Sequence, residues 1–185
     1  MMFLGSLLDE ALNINPNYAL EAKTVLEEAV KISSTKQIVS FELAQFYVAT
    51  GQTAAALDVL YKAWKLDTSY RVAAVHTWVL AIAVNRPEIA AEVAAMYPPA
   101  SLSEPDLLRL GESYRRGQIF PGALLMYAEL AKQVPDNAKY HVTYAALLAN
   151  AGRFEEARME AQTALKLDPS LANDVQGFLQ RLNAQ

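Results

Sequence analysis

The sequence predicts an all-α fold built from helix pairs that recur with a period of about 34 residues. The first observation is a small residue that returns at almost constant spacing, at Ala22, Ala56, Ala90, Ala123 and Ala157. The intervals are equal except for the third, which is shorter by a single residue. The second observation is a helical periodicity of apolar residues, arranged in paired runs. The third is the placement of Gly and Pro between those runs, where helices are expected to end.

Residues 138–169 form the clearest unit of this pattern. One apolar run passes through Val142 and Leu148, and a second passes through Ala157 and Leu165. A Gly-containing turn separates the two runs. A methyl side chain is expected at the recurring small position, because two helices that cross closely leave little room between their backbones. The unit is therefore predicted to be a helix–turn–helix.

Residues 104–137 carry the most complete set of positions that define a known repeat. The matching residues are Leu107, Leu110, Gly111, Tyr114, Phe120, Ala123, Tyr127 and Pro135. With 138–169, they resemble the tetratricopeptide repeat (TPR), a helix–turn–helix of about 34 residues. The resemblance implies one right-handed TPR superhelix over residues 1–185, with about five repeats and a C-terminal capping helix. The expected repeats are 3–36, which is degenerate, 37–70, 71–103, 104–137 and 138–171, and the capping helix is 170–182.

The first repeat has two interpretations. In one, a short leucine-rich helix is followed by Pro16 in a connector and by a second helix over 17–32. In the other, residues 1–16 are the end of a repeat that is truncated upstream. The spacing of Ala22 favours the first interpretation.

Composition excludes several classes of function. The chain has 185 residues, no Cys and a net charge of −4, and its Lys and Arg residues are not clustered, so nucleic acid is not an expected partner. The apolar stretch 72–84 is shorter than the roughly 20 residues of a membrane-spanning helix. We expect a soluble chain that does not itself insert into a membrane. Its compartment stays open between cytoplasm and periplasm, and a longer parent protein could tether it.

The sequence contains no catalytic motif. It lacks a Gly-rich phosphate loop and the G-x-S-x-G and H-E-x-x-H patterns. Its two histidines, His76 and His141, lie in different repeats and are expected to be packing or surface residues. We therefore predict a protein that is not an enzyme and that has no cofactor and no metal site.

The resemblance to TPR proteins also implies a concave groove lined by the first helix of each repeat. The groove positions predicted to bind a partner peptide or helix are Phe41, Gln45, Val75, Val79, Leu108, Glu112, Arg115 and Val142. Apolar residues in such a groove can anchor a partner segment. The alternative is that tight curvature buries them within the array. The favoured function is a non-catalytic scaffold for protein–protein interaction.

Two alternative functions stay open. The irregular region around Trp78 and Tyr97 is predicted to be a secondary surface, through which the chain would form a homodimer. In addition, 33–37 with 41–45, and 140–141 with 145–147 and 152–157, are similar to the soluble C-terminal TPR region of bacterial O-antigen ligase-like membrane proteins. That resemblance implies the regulatory tail of a larger glycan ligase or polymerase, without glycosyl-transfer chemistry in this chain.

Overall fold

The computed structural model describes residues 16–32 and 37–183, and within these ranges the regular structure is helical, with no strand. The helices are α1 (Pro16–Ile32), α2 (Gln37–Ala49), α3 (Thr53–Leu66), α4 (Arg71–Ala83), α5 (Pro87–Met96), α6 (Glu104–Arg116), α7 (Phe120–Gln133), α8 (Ala138–Asn150), α9 (Phe154–Leu167) and α10 (Ala172–Asn183). Short 3-10 turns precede α6 and α10, at Pro99–Ser101 and Pro169–Leu171. No helix in the described ranges combines the length and the apolar character needed to cross a bilayer.

The chain divides into two compact units, Met1–Val93 and Ala94–Gln185. In the first unit, α1 packs on α2, α2 on α3 and α3 on α4. A central cluster of its core consists of Leu43, Ala44, Phe46, Tyr47, Ala56 and Leu60. Ala22, Leu26 and Val30 of helix α1 pack against this cluster. The helix covers the predicted range 17–32 and begins one residue earlier, at Pro16. The short helix predicted before it lies outside the described residues, and the single continuous array stays a prediction.

The second unit ends in a helix that covers the last helix pair. Helices α6 to α10 pack on one another in chain order. Val175 and Leu182 of α10 are buried, and Phe178 and Leu179 pack beside them against Ala145, Leu148, Ala157 and Ala161. Gln176, Gln180 and Arg181 of the same helix are exposed. Repeat arrays require such a terminal element over the apolar face of their last unit.

Four of the five recurring small residues are buried, and the fifth, Ala22, is half-buried. Ala56, Ala123 and Ala157 have no exposed surface, and Ala90 is 7% exposed. On the facing helix of the fourth repeat, a Cβ added to Gly111 would lie 2.9 Å from a ring carbon of Tyr127 and 3.3 Å from the Cβ of Met126. These distances are shorter than ordinary contacts, so the crossing of α6 and α7 leaves no room for a side chain.

The turns inside the helix pairs share one backbone conformation. Each turn has three residues, and its middle residue has a positive φ: 74° at Gly51, 55° at Asn85, 57° at Gln118 and 73° at Gly152. The residue that follows donates its backbone N–H to the carbonyl five positions earlier, at 2.7 to 2.9 Å. This bond, which satisfies a carbonyl at the helix end, is part of the Schellman motif. Successive turns are separated by the same intervals as the four recurring alanines that follow them.

Gln118 is the one turn residue whose type does not suit its conformation. Glycine adopts positive φ without steric cost and asparagine tolerates it, whereas other residues lose roughly 1 kcal/mol or more. We expect Gln118→Gly to raise the free energy of unfolding by about 1 kcal/mol, measured by urea denaturation followed by circular dichroism. The matched control is Gln162→Gly in the exposed face of α9. There the same change should lower stability by about 1 kcal/mol. Loss of stability in both variants would contradict the assignment of strain to Gln118.

Candidate functional site

An open apolar pocket lies in the first unit between α2 and α4, and its volume is about 430 Å³. Helix α3 contributes one residue to its lining. The lining consists of Phe41, Ala44, Gln45, Val48, Ala49, Leu60, His76, Val79 and Leu80. Three of the four groove residues predicted for this unit, Phe41, Gln45 and Val79, are therefore brought together. Gln45 and His76 are the polar side chains of the lining, so the pocket is suited to apolar groups.

Phe41 is held in place by aromatic contacts on the wall of this pocket. Its ring centre lies 5.5 Å from that of His76, at 90°, and 6.0 Å from that of Tyr70, at 84°. Such edge-to-face arrangements are favourable by roughly 0.5–1.5 kcal/mol beyond the area they bury. Phe41 remains only half-buried, and the neighbouring Val48 is 48% exposed. The pocket thus combines a fixed aromatic wall with accessible apolar surface.

Two predicted interaction residues of α4 are core residues. Val75 is 1% exposed and Trp78 is 2% exposed. They are one helical turn apart, on a helix that also buries Ala73, Ala74, Ala81 and Ile82. A helix that is apolar on most of its circumference buries most of it, so the sequence could not distinguish its groove side from its core side. The prediction of a secondary surface at Trp78 is therefore wrong, whereas Tyr97, which follows α5, is half-buried.

Two of the three groove residues predicted on α6, Glu112 and Arg115, already interact within the second unit. Glu112 accepts a hydrogen bond from the hydroxyl of Tyr127 and forms an ion pair with Arg115 at 3.5 Å. Leu108 is half-buried and Arg115 is exposed. Glu112 therefore acts first as a link between α6 and α7. The sequence did not indicate this role, because Tyr127 belongs to the neighbouring helix.

Val142, the remaining predicted groove residue, is 40% exposed and lies in a second pocket of about 430 Å³. This pocket lies among α8, α9 and α10. Its lining is Val142, Ala145, Ala146, Ala161, Leu171, Asn173, Asp174, Val175, Gly177, Phe178 and Arg181. Most of these residues belong to the capping helix or to the turn before it. Sequence reasoning missed them because it assigned that helix only a covering role.

Four tyrosines of the described residues link helices through their hydroxyl groups. Tyrosine hydroxyls donate to glutamates in the pairs Tyr47–Glu27 (2.5 Å), Tyr61–Glu92 (2.6 Å), Tyr140–Glu104 (2.7 Å) and Tyr127–Glu112. The hydrogen bond to Glu27, with burial, raises the pKa of Tyr47 to about 12. Burial, with the bond to Glu104, raises the pKa of Tyr140 to about 12. These phenols remain protonated donors at neutral pH, as a structural role requires.

His141 has the packing role that the sequence predicted. It is 6% exposed, and its ring nitrogens lie 2.6 Å from a carboxylate oxygen of Glu160 and 2.9 Å from the carbonyl oxygen of Pro135. Both neighbours are hydrogen-bond acceptors, so the imidazole connects α8 with α9 and with the connector that precedes α8. Within residues 16–32 and 37–183, no three His, Asp or Glu side chains are grouped so that they could hold a metal ion.

Comparison with known proteins shows which fold this is. No protein-family model matches the sequence, and no curated protein matches it significantly. Among solved structures, MamA has a TM-score of 0.64 at 15% identity, over 92% of this chain and 93% of that chain. MamA residues 41 to the end from Desulfovibrio magneticus RS-1 has a TM-score of 0.58 at 14% identity, over 90% and 96% of the two chains.

A third similar structure is YrrB, described as a TPR protein with an unusual peptide-binding site. Its TM-score is 0.59 at 15% identity, over 89% of this chain and 83% of that chain. At such identities, structural similarity carries information about the fold. The recurring alanines, the repeated turn and the terminal covering helix agree with it. The chain therefore has the all-α fold of tetratricopeptide-repeat proteins.

Proposed function

We propose that this chain is a non-catalytic module for protein–protein interaction. The pocket of the first unit receives apolar side chains from a partner peptide or helix. The observation that carries the proposal is the combination of a preformed opening with exposed apolar residues around it. Val48 is 48% exposed, and Phe41 and Val79 are half-buried. Covering such surface is favourable by roughly 25 cal/mol per Å².

The lining supports a partner that is mainly apolar. Gln45 is exposed, so its amide can hydrogen-bond to a partner's backbone, while the remaining contacts are with carbon atoms apart from the imidazole of His76. The peptide-binding site described for YrrB, a structure of similar fold, supports this proposal. The resemblance to O-antigen ligase-like proteins would place the same pocket in an appended regulatory module, where its binding chemistry would be unchanged.

The experiment is a selection of peptides from a random displayed library on the full chain, followed by binding measurements with variants. We expect Val79→Glu and Val48→Glu each to weaken binding of the selected peptides by about tenfold or more, because a carboxylate would be desolvated in an apolar contact. The control is Val25→Glu on α1, where Val25 is 64% exposed and does not line the pocket. It should bind as the wild type does.

Circular dichroism of each variant establishes that helicity is retained. Wild-type affinity in both pocket variants, with helicity intact, would place the peptide site elsewhere. Weakened binding in the Val25→Glu variant alone would likewise place the peptide site outside this pocket.

A further inference from the structure

The capping helix α10 presents a second face beside the one that packs on α8 and α9. Val175, Leu179 and Leu182 belong to the packed face. Asp174, Gly177 and Arg181 are separated by three and four residues, so they lie along one other side of the helix. All three line the pocket that contains Val142. This side of α10 is called the DGR face below.

The two charges of the DGR face have no partner within the described part of the chain. Asp174 and Arg181 are both exposed, and neither forms an ion pair or a side-chain hydrogen bond with residues 16–32 or 37–183. They are the only charged residues of this pocket lining. Seven helical residues correspond to about 10 Å along the axis. The face thus carries an acid at one end and a base at the other.

Gly177, between these charges, is not required by the packing of the helix. A Cβ added there would have the guanidinium Nη1 of Arg181 as its nearest neighbour, at 3.6 Å, which is an ordinary contact. Glycine inside a helix costs roughly 0.5–1 kcal/mol relative to alanine. The chain therefore carries a destabilising residue whose absent side chain opens a notch midway along the DGR face.

The order acid–notch–base is complementary to itself. The midpoint between positions 174 and 181 falls between Gly177 and Phe178. If a second α10 runs antiparallel about a two-fold axis at that point, Asp174 lies opposite the partner's Arg181, and Arg181 lies opposite the partner's Asp174. The notch lies where the two helices cross most closely. A two-fold interface uses the same patch on both subunits, which this arrangement fulfils.

We propose that the DGR face is a homodimer interface, in which α10 docks antiparallel on α10 of a second copy of this chain. The apolar surface of Val142 and Ala146, which is exposed in the single chain, is covered in the dimer. The two ion pairs fix the antiparallel register, since a parallel arrangement would place like charges together. This interface is independent of the first-unit pocket, and it differs from the dimer surface that the sequence predicted around Trp78 and Tyr97.

The test is charge reversal on the full chain, with the mass measured by sedimentation equilibrium from low to high micromolar concentration. The wild type should reach twice the monomer mass. Asp174→Arg and Arg181→Asp should each weaken the dimer by about tenfold or more, because each creates two like-charge contacts. The double variant Asp174→Arg/Arg181→Asp should restore the dimer, since it exchanges the charges and preserves the pairing.

A second pair of variants tests the notch. Gly177→Leu should give a monomer, because its side chain fills the crossing point. Gln176→Leu, an equally apolar change at an exposed site outside the pocket lining, should dimerise as the wild type does. A wild type that stays monomeric throughout the range overturns the proposal. So does a double reversal variant that is folded, as judged by circular dichroism, and fails to dimerise.

Discussion

Replacing Trp64 with alanine should lower the free energy of unfolding by about 3–5 kcal/mol. Trp64 has no exposed surface and is among the largest fully buried side chains of the described residues. Its indole N–H also donates to the carbonyl oxygen of Thr68 at 3.3 Å, which ties the end of α3 to the connector that leads to α4. Alanine would leave a cavity and would remove the donor from that carbonyl. Urea denaturation followed by circular dichroism measures the loss.

Trp64→Phe separates the two contributions. Phenylalanine keeps much of the buried ring and lacks the N–H, so we expect a loss clearly smaller than that of the alanine variant. If Trp64→Ala lost less than about 1 kcal/mol, which is typical of a tolerated substitution, Trp64 would not have the core role described here.

The second large effect is expected at the crossing of α6 and α7. Gly111→Leu should lower the free energy of unfolding by about 3 kcal/mol, because overpacking displaces neighbours that have nowhere to move. Tyr127, the nearest neighbour, is 2% exposed, and its hydroxyl is bonded to Glu112. The ring therefore cannot swing aside without breaking that bond. The denaturation midpoint in urea is the appropriate measurement.

Alanine variants at two helical glycines provide a matched comparison. Gly111→Ala places a Cβ 2.9 Å from the ring of Tyr127, whereas at Gly177 the nearest atom lies at 3.6 Å. We expect Gly111→Ala to destabilise the chain. Gly177→Ala should stabilise it by about 0.5–1 kcal/mol, when measured at a protein concentration low enough to exclude self-association. Equal effects at both sites would mean that helix propensity alone determines the outcome and that the crossing is not tight.

The helix pairs could be predicted because their determinants are local. The spacing of the alanines, the apolar periodicity and the positions of Gly and Pro each concern residues near one another in the chain. Gly51 lies between two apolar runs, where a helix was expected to end, and it has a positive φ of 74° just after α2. Gln118 was not predicted to be left-handed. Its conformation follows from the register of the repeat, whereas Gly117, one position earlier, has an ordinary negative φ of −75°.

The candidate site was predicted only in part, because its properties depend on contacts between helices. Phe41, Gln45 and Val79 share a pocket, whereas Val75, four residues before Val79, is buried. The crossing geometry decides between the two valines, and the sequence of α4 is apolar on both sides. Likewise, the engagement of Glu112 depends on a tyrosine fifteen residues away. The position of Asp174 and Arg181 on one exposed face could be recognised only once the packed side of α10 was known.

The distribution of indole rings has a spectroscopic consequence. The chain has two tryptophans, Trp64 and Trp78, and both are buried in the first unit. Tryptophan emission should shift to longer wavelength when the first unit opens and should be insensitive to local opening around α8 to α10. Circular dichroism, in contrast, reports on helices of both units. Superimposable melting curves from the two signals would indicate a single cooperative transition, and separated curves would indicate that each unit unfolds on its own.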